Sequence, residues 1–427
     1  LKIVKSILFY GVVFAFIAIC LGNQVSRTPN AKTAGNELFE KLDLFASVLS
    51  LIQHSYVEEV QSRDLIYGAL EGTLSSLDPH SQFLRPKLFR EVQIDTEGEF
   101  GGLGIEVVIR DKFLVVVSPI PGTPAEHAGL KSGDRILKIN GDLLDAPVLD
   151  EAVKKLRGPV GSKVEITVFR PSTKQYFAVE MVREKIHLQS VIHSQILPDT
   201  GIAYIKITRF QEGTTREFQD AFKDLSARNP TGLILDLRNN PGGLLEESIK
   251  LGGVLAGGEK LIVYTKGRLP EQNLKKFSPA GVEPVNIPLV LLINDGSASA
   301  SEIVAGAVQD WEKGTVVGET SFGKASVQSL IPLKDGSAVR LTTAWYYTPK
   351  GRQIHEKGIR PDVEVPLSNE DYISMIERVR DIKAGKIDSS TIFQDSQIQK
   401  ALELLGIPAK QPEAETPPPA ETPAPSN

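Results

Sequence analysis

The chain has 427 residues, of which 41% are hydrophobic and 24% charged, a globular composition that allows about two to four domains. A formal net charge of -5 lacks the basic footprint of a nucleic-acid binder, so no nucleic-acid partner is expected. One cysteine, Cys20, excludes an intramolecular disulfide, and six scattered histidines without ligand spacing point to chemistry with no metal and no cofactor.

Lys2 and Lys5 precede an apolar run from Ile7 to Leu21. At about 15 residues it fits a signal-peptide core better than a full span of ~20. Export is expected, to the periplasm or the outer face of the cytoplasmic membrane. No A-x-A site follows, so permanent membrane anchoring stays open, and residues 1–34 read as signal or membrane anchor plus linker. Residues 35–96 read as an N-terminal helical region, with Leu42, Phe45, Val48, Leu49 and then Leu65, Leu70, Leu74, Leu77 at helical spacing. The phrase LDPHSQFL, Leu77 to Leu84, breaks the pattern with a turn at Asp78-Pro79, after which helix is expected to resume.

The periodicity then changes. Residues 103–108, 113–117, 135–139, 164–169 and 176–182 read as strands, with helices at 125–130 and 149–156. The run Gly102, Leu103, Gly104, Ile105 opens the first strand, where a loop can aim backbone N–H groups at a terminal carboxylate beside a strand edge. On the phrase SPIPGTPAEHAGLKSGDRILKINGDLL, Ser118 to Leu144, this module, residues 97–185, resembles a PDZ domain. The resemblance implies that Gly102, Leu103, Gly104 and Ile105 bind peptide C-termini. Arg157, in LRGPVG after the second helix, is a candidate for holding an acidic partner, although a solvated surface arginine is the commoner case.

Residues 186–370 alternate strands (202–207, 232–237, 289–293, 314–318) with helices (215–227, 244–255, 301–311), the pattern of an α/β core. A helical region follows at 371–410, and the Pro-rich tail 411–427 is expected to be disordered.

The chemistry concentrates in LVLLINDGSASASEIVAGAVQD, Leu289 to Asp310, and SFGKASVQ, Ser321 to Gln328. An apolar strand, a glycine turn, a serine cluster and a helix can present a hydroxyl at a helix start. Ser297, Ser299 and Ser301 compete for that place. Ser299 also opens an S-x-x-E capping box with Glu302. Lys324 stands between Gly323 and Ala325, small surroundings in which an amine can be buried, and a serine beside a desolvated lysine is a nucleophile with its base.

Four phrases, DLRNNPGG (Asp236–Gly243), NDGSASASEI (Asn294–Ile303), GETSFGKASVQ (Gly318–Gln328) and YYTPKGRQIHEKGIRPD (Tyr346–Asp362), together resemble the carboxy-terminal processing, or tail-specific, proteases. The likeness runs from about Leu42 to Val365 and includes the inserted PDZ module. It implies an α/β multidomain fold, a crotonase-like α/β protease core with an inserted β-rich PDZ domain and flanking helices. It also implies Ser299 as nucleophile, Lys324 as base 25 residues later, and Gln328 completing the site. A free lysine, with a pKa near ~10.4, cannot act as a base at neutral pH, so burial must lower it. Gln328 can orient the neutral amine without adding a charge that would raise it again. The resemblance places the oxyanion donors at the N–H groups of Ala300 and Gly243, with Gly242 as the adjacent candidate. Trp345 is bulky and close to where a peptide would pass, with packing its simpler role.

The resulting expectation is an exported endopeptidase that takes proteins with unstructured apolar C-termini, with a homodimer through the N-terminal helices as a family-level expectation. A PDZ scaffold without catalysis is the main alternative, and a Ser-His-Asp hydrolase a remote one, since no histidine lies in the two catalytic phrases. Movement of the PDZ module is expected to gate access to Ser299.

Overall fold

A computed structural model describes residues 31–383 and 392–408. The apolar run at 7–21 and the Pro-rich tail at 411–427 lie outside the described residues. The chain divides into two compact units between Leu77 and Asp78.

In the first unit, α1 (Ala31–Ser55) and α2 (Ser62–Ser75) follow the helical apolar spacing. Tyr67 of α2 is buried, whereas Leu38, Phe39, Leu42 and Leu51 of α1 remain exposed. None of the described helices is long and apolar enough to cross a membrane.

The second unit begins with the Asp78-Pro79 turn. Helix does not resume directly: Gln82–Leu84 forms a short strand, β1, before Pro86 opens α3 (Pro86–Glu97) at its first turn. Phe83 and Leu84 are almost fully buried, and since adjacent strand residues point to opposite faces, both faces of this short strand are covered.

Next comes β2 (Glu99–Gly102), then the β-rich module. Its elements are β3 (Ile105–Arg110), β4 (Phe113–Pro119), α4 (Pro124–His127), β5 (Arg135–Ile139), β6 (Asp142–Leu143), α5 (Leu149–Leu156), β7 (Lys163–Arg170) and β8 (Gln175–Val182). The sheet order is β3-β4-β5-β7-β8, with β6 paired to β5. Along β7 every second residue, Val164, Ile166 and Val168, points into the module's own apolar core. The predicted helix at 125–130 is shorter, because Gly129 has φ +72°, a conformation that ends a helical turn. After β8, β9 (Glu184–His187) returns to pair with β2, Glu99 opposite His187 and Gly102 opposite Glu184. Entry and exit of the module are therefore joined as one two-stranded ribbon.

The core continues through β10 (Val191–Ile196), β11 (Ile202–Ile207), α6 (Thr214–Ser226), β12 (Gly232–Asp236), α7 (Leu245–Ala256), β13 (Leu261–Gly267), β14 (Lys275–Phe277), β15 (Leu289–Ile293), α8 (Ala300–Asp310), β16 (Thr315–Gly318), β17 (Ser326–Pro332), β18 (Ala338–Tyr347), β19 (Val363–Glu364), α9 (Asn369–Lys383) and α10 (Ser396–Leu404). One sheet runs β10-β11-β12-β15-β16-β19, parallel from β11 onward, with β10 antiparallel at the edge. Strands β12 and β15 are buried at every position, as a parallel sheet covered on both faces requires. Leu233, Leu235, Leu291 and Ile293 pack with Phe218, Leu251 and Val304 of α6, α7 and α8 on one face. Tyr204, Ile234, Val290 and Leu292 pack with Ile398, Ala401 and Leu402 of α10 on the other.

A buried charge network fastens α10 to the end of β12. Arg238 donates to Asp236 (2.8 Å), Asp395 (2.8 Å) and Gln397 (2.9 Å), and Tyr204 donates to Asp236 (2.6 Å). Burial alone would raise the Asp236 carboxyl, but Arg238 and then Lys206 overcome it and hold the group well below its ordinary value.

A second sheet centres on β18. It pairs with β17 along most of its length, with β1 over Ala338–Arg340 and with β13 over Ala344–Tyr347. On the edge that β1 and β13 share, the stretch between those two pairings, Leu341–Thr343, has no ladder partner among the described residues. The hydroxyl of Ser81 fills part of the gap by accepting the Thr342 N–H at 3.1 Å.

Candidate active site

Strands β12 and β15 are parallel neighbours, so the loops at their carboxyl ends meet. Asn294 fixes them together: its side-chain oxygen accepts the Asn239 N–H (2.8 Å) and its amide donates to the Asn239 side chain (3.0 Å). The backbone adds a bond from Ala298 N–H to Asn240 carbonyl at 3.0 Å.

The three serines of the cluster have different surroundings. Ser297 is fully buried and donates to the Leu237 carbonyl (2.8 Å) while accepting the Asn294 N–H (3.0 Å). Ser301 is equally buried and donates to the Asn240 carbonyl at 2.9 Å. Both hydroxyls hold the loops together. Ser299 is partly exposed and makes no side-chain cap hydrogen bond. Its backbone, at φ +54° and ψ -110°, lies in a region costly for a residue with a Cβ. That turn points Ser299 away from the loop packing that absorbs its neighbours.

Gly242 packs directly beneath it, where an added Cβ would lie 2.8 Å from both the Ala300 nitrogen and the Ser299 Cβ. Its N–H is already donated to the Asn240 side chain at 2.9 Å. Gly243, at φ +145°, is exposed, and its N–H donates to no group among the described residues. The Ala300 N–H, in the first turn of α8, is likewise without a partner among the described residues.

Lys324 enters from the loop between β16 and β17. Glu302, fully buried in the first turn of α8, organises that loop. Its carboxylate accepts the Ser321 hydroxyl (2.6 Å), the Gly323 N–H (2.7 Å), the Lys324 N–H (2.9 Å) and, across the site, the Ser299 N–H (2.8 Å). Tyr346 adds a second bridge, its hydroxyl reaching the Ser299 carbonyl (3.0 Å) and the Lys324 carbonyl. Burial, and then Glu302, push the Tyr346 phenol far above its ordinary value, so it remains a donor.

The Lys324 amine is half-buried and held below its ordinary value, first by desolvation and second by the positive charge of Arg340, against an opposing effect of Glu302. Among the described residues, Lys324 Nζ and Ser299 Oγ share no hydrogen bond. Gln328 donates from Nε2 to the Thr342 hydroxyl at 2.9 Å, while its Oε1 is buried with no partner. His80, brought here from the LDPHSQFL turn, is lowered by burial and then by Lys324. The His355 and Trp345 rings pack in a tilted contact with centroids 4.0 Å apart, so Trp345 packs as part of the wall.

In the β-rich module, the carbonyls of Leu103 and Gly104 face inward. They accept the Ala125 N–H (2.9 Å) and the Ile120 N–H (2.8 Å) respectively. Gly104 has φ +72°, and an added Cβ would meet Thr123 at 2.4 Å, so glycine is required. The N–H groups of Leu103 and Gly104 have no partner among the described residues. Gly102 ends the junction ribbon and Ile105 begins β3. The Arg157 guanidinium lies 4.2 Å from the Phe100 ring centroid, a contact that holds it against the ribbon.

Glu302 and Tyr346 escape a reading by sequence, where one is a capping residue and the other one tyrosine of a pair. The S-x-x-E box signals Glu302's neighbourhood with Ser299, but nothing local signals the lysine loop. Among the described residues no cluster of ligating side chains could hold a metal ion.

Three family profiles match the chain: peptidase family S41 over residues 201–365, a PDZ domain over 115–170, and the activating protease CtpB N-terminal domain over 9–87. A carboxy-terminal-processing protease of Bartonella bacilliformis is 40% identical over 370 residues, covering 85% of this chain and 83% of that protein. A carboxyl-terminal-processing protease of Synechocystis sp. is 37% identical over 364 residues, covering 83% and 80%. The solved photosystem II D1 C-terminal processing protease overlays with a TM-score of 0.44 at 29% identity, covering 76% of this chain and 92% of that one.

The Glu302 bracket has a measurable consequence. Glu302→Gln preserves size but sets an NH2 against N–H or O–H donors, leaving buried groups unpaired at about 1–3 kcal/mol each. A lower urea midpoint with reduced hydrolysis is expected. An unchanged midpoint would mean that the carboxylate does not hold the two loops.

Proposed function

Because this chain belongs to the carboxy-terminal processing proteases of peptidase family S41, a family of serine-type peptidases, we propose that it cleaves peptide bonds with Ser299 as nucleophile and Lys324 as general base. One observation carries the choice of serine: of the three hydroxyls only that of Ser299 is free of the loop packing and exposed to a substrate. Lys324, neutral, takes the Ser299 proton as Oγ attacks the scissile carbonyl, and returns it to the leaving amine. Gln328, with no charge of its own, orients the amine through its unpaired Oε1. The tetrahedral oxyanion is received by the N–H groups of Ala300 and Gly243. Gly242 is the less suitable donor, since its N–H is engaged by Asn240.

The PDZ domain selects substrates by an unstructured apolar C-terminus, received by the Gly102–Ile105 loop, where the Leu103 and Gly104 N–H groups are free, and by the β3 edge. Its attachment through a single ribbon supports movement of the domain as the gate to Ser299. The assay uses an unfolded protein with an apolar C-terminus. Ser299→Ala and Lys324→Ala should each lower cleavage by at least about 10³-fold. Deletion of residues 97–185 should abolish the dependence on the substrate tail. Binding without cleavage by the wild type would favour a scaffold, and full cleavage by Lys324→Ala would transfer the base role elsewhere, with His80, which feels the charge of Lys324, a candidate.

The electrostatics give a signed pH effect. A lysine base works only when neutral, so kcat/KM rises as pH passes through its pKa. Arg340 lowers that pKa. Arg340→Gln should therefore move the acidic limb of the profile to higher pH, and a limb that stays in place would remove Arg340 from the account.

Action outside the cytoplasm is supported by the lysines and apolar run of the first 21 residues. A reporter active only after export, fused behind residues 1–34, should gain activity, and a silent fusion would argue against export.

A further inference from the structure

The turn Asp78–Ser81 is far from the catalytic loops in sequence, yet its hydrogen bonds end on Gln328. Asp78 Oδ1 accepts the N–H groups of His80 (2.7 Å) and Ser81 (2.8 Å) and the Thr342 hydroxyl (3.2 Å), and Oδ2 accepts the Ser81 hydroxyl (2.7 Å). Burial would raise the Asp78 carboxyl, but the bonds from Ser81, His80 and Thr342 outweigh it and hold the group below its ordinary value, hence ionised. An ionised carboxylate only accepts. The single proton of the Thr342 hydroxyl therefore goes to Asp78, and toward Gln328 that hydroxyl can only accept.

That polarity sets the amide. Facing an acceptor, Gln328 must present its NH2 to Thr342 at 2.9 Å, which leaves Oε1 turned away, buried and unpaired. The strand geometry is arranged for the contact. The β17–β18 ladder shifts register between Val327 and Gln328, pairing Val327 with Ala344 but Gln328 with Thr342. Such a bulge re-aims a side chain. Thr342 is also the residue whose N–H the Ser81 hydroxyl receives between the β1 and β13 pairings.

We propose that the Asp78–Ser81 turn is a positioning element of the active site, acting through Thr342 to fix which end of the Gln328 amide is available to Lys324. The proposal rests on the reading of Lys324 as base and Gln328 as its orienting partner. Asp78 and Thr342 are positioning residues and touch no reacting atom. If the hydroxyl of Thr342 is lost, the amide can turn over and offer NH2 to an amine that needs an acceptor.

The test is a double-mutant cycle on the full chain, with kcat and KM measured for an unfolded substrate and folding followed by thermal melting. Thr342→Val, which keeps the strand-compatible shape, should lower kcat about tenfold, the equivalent of one hydrogen bond, with little change in KM. Thr342→Ser, which keeps the hydroxyl, should restore most of that rate. In a Gln328→Ala background, Thr342→Val should cause no further loss, because its effect passes through the amide. Asp78→Ala should follow the same pattern and serves as the second probe if Thr342→Val does not fold. If Gln328→Ala is as active as the wild type, the reading of Gln328 fails and the relay with it. If Gln328→Ala is impaired but Thr342→Val is fully active, or costs the same factor in both backgrounds, the relay is overturned while that reading stands.

Discussion

The Glu302 carboxylate lies in the interior and accepts hydrogen bonds from both loops of the proposed site. On one side it holds the backbone of Ser299, on the other the backbone of Gly323 and Lys324 and the hydroxyl of Ser321. A buried charge without an ionic partner is tolerable only when its oxygens are met by donors, and here four meet it at 2.9 Å or closer. Withdrawal of either loop would strand part of the charge. The Ser299 and Lys324 backbones are thereby tied to one group, independently of the two side chains proposed to react.

The same carboxylate opposes the proposed chemistry. A negative charge near Lys324 favours the ammonium form, and desolvation and Arg340 outweigh it. Glu302 limits its effect by facing backbone N–H groups, while the side chain proposed to meet the amine, Gln328, is neutral. The proposed result is a division of tasks: charge organises the loops, and a neutral amide is left for the proposed base. Arg340 belongs to the same arrangement, since it is held by the His80 carbonyl and the Gln82 side chain of the segment that also supports Thr342.

Much of this architecture was legible along the chain. The apolar runs at Ile202–Ile207 and Leu289–Ile293 coincide with buried strands, because a strand covered on both faces needs no polar alternation. The module's strands could be placed for the opposite reason, one face being solvated. Strands β2, β9, β17 and β18 were not visible in this way. Their residues are mixed in polarity, and β17 and β18 are only partly buried with little alternation, so only their partners identify them. The LDPHSQFL phrase announced a turn, but the strand that follows it exists only because β18 offers an edge to pair with.

The candidate site divides along the same line. The sequence by itself determined the family, the presence of a PDZ domain and the short list of serines, a lysine and a glutamine, because residue types and short spacings carry that information. Residue types alone left three serines open, which the family resemblance narrowed to Ser299, and Gly242 stayed as an alternative beside Gly243. Only the tertiary structure distinguishes their environments. Ser297 and Ser301 are absorbed by carbonyls about 60 residues away in the chain, 60 and 61 by number, and the Gly242 N–H is absorbed by Asn240. Whether a hydroxyl or an N–H is free depends on what else reaches it. The same holds for Gln328, whose amide takes its direction from Thr342 and, 264 residues from Thr342, Asp78. Such partners meet only when the sheet has formed, which is why local sequence could nominate the reactive groups but not orient them.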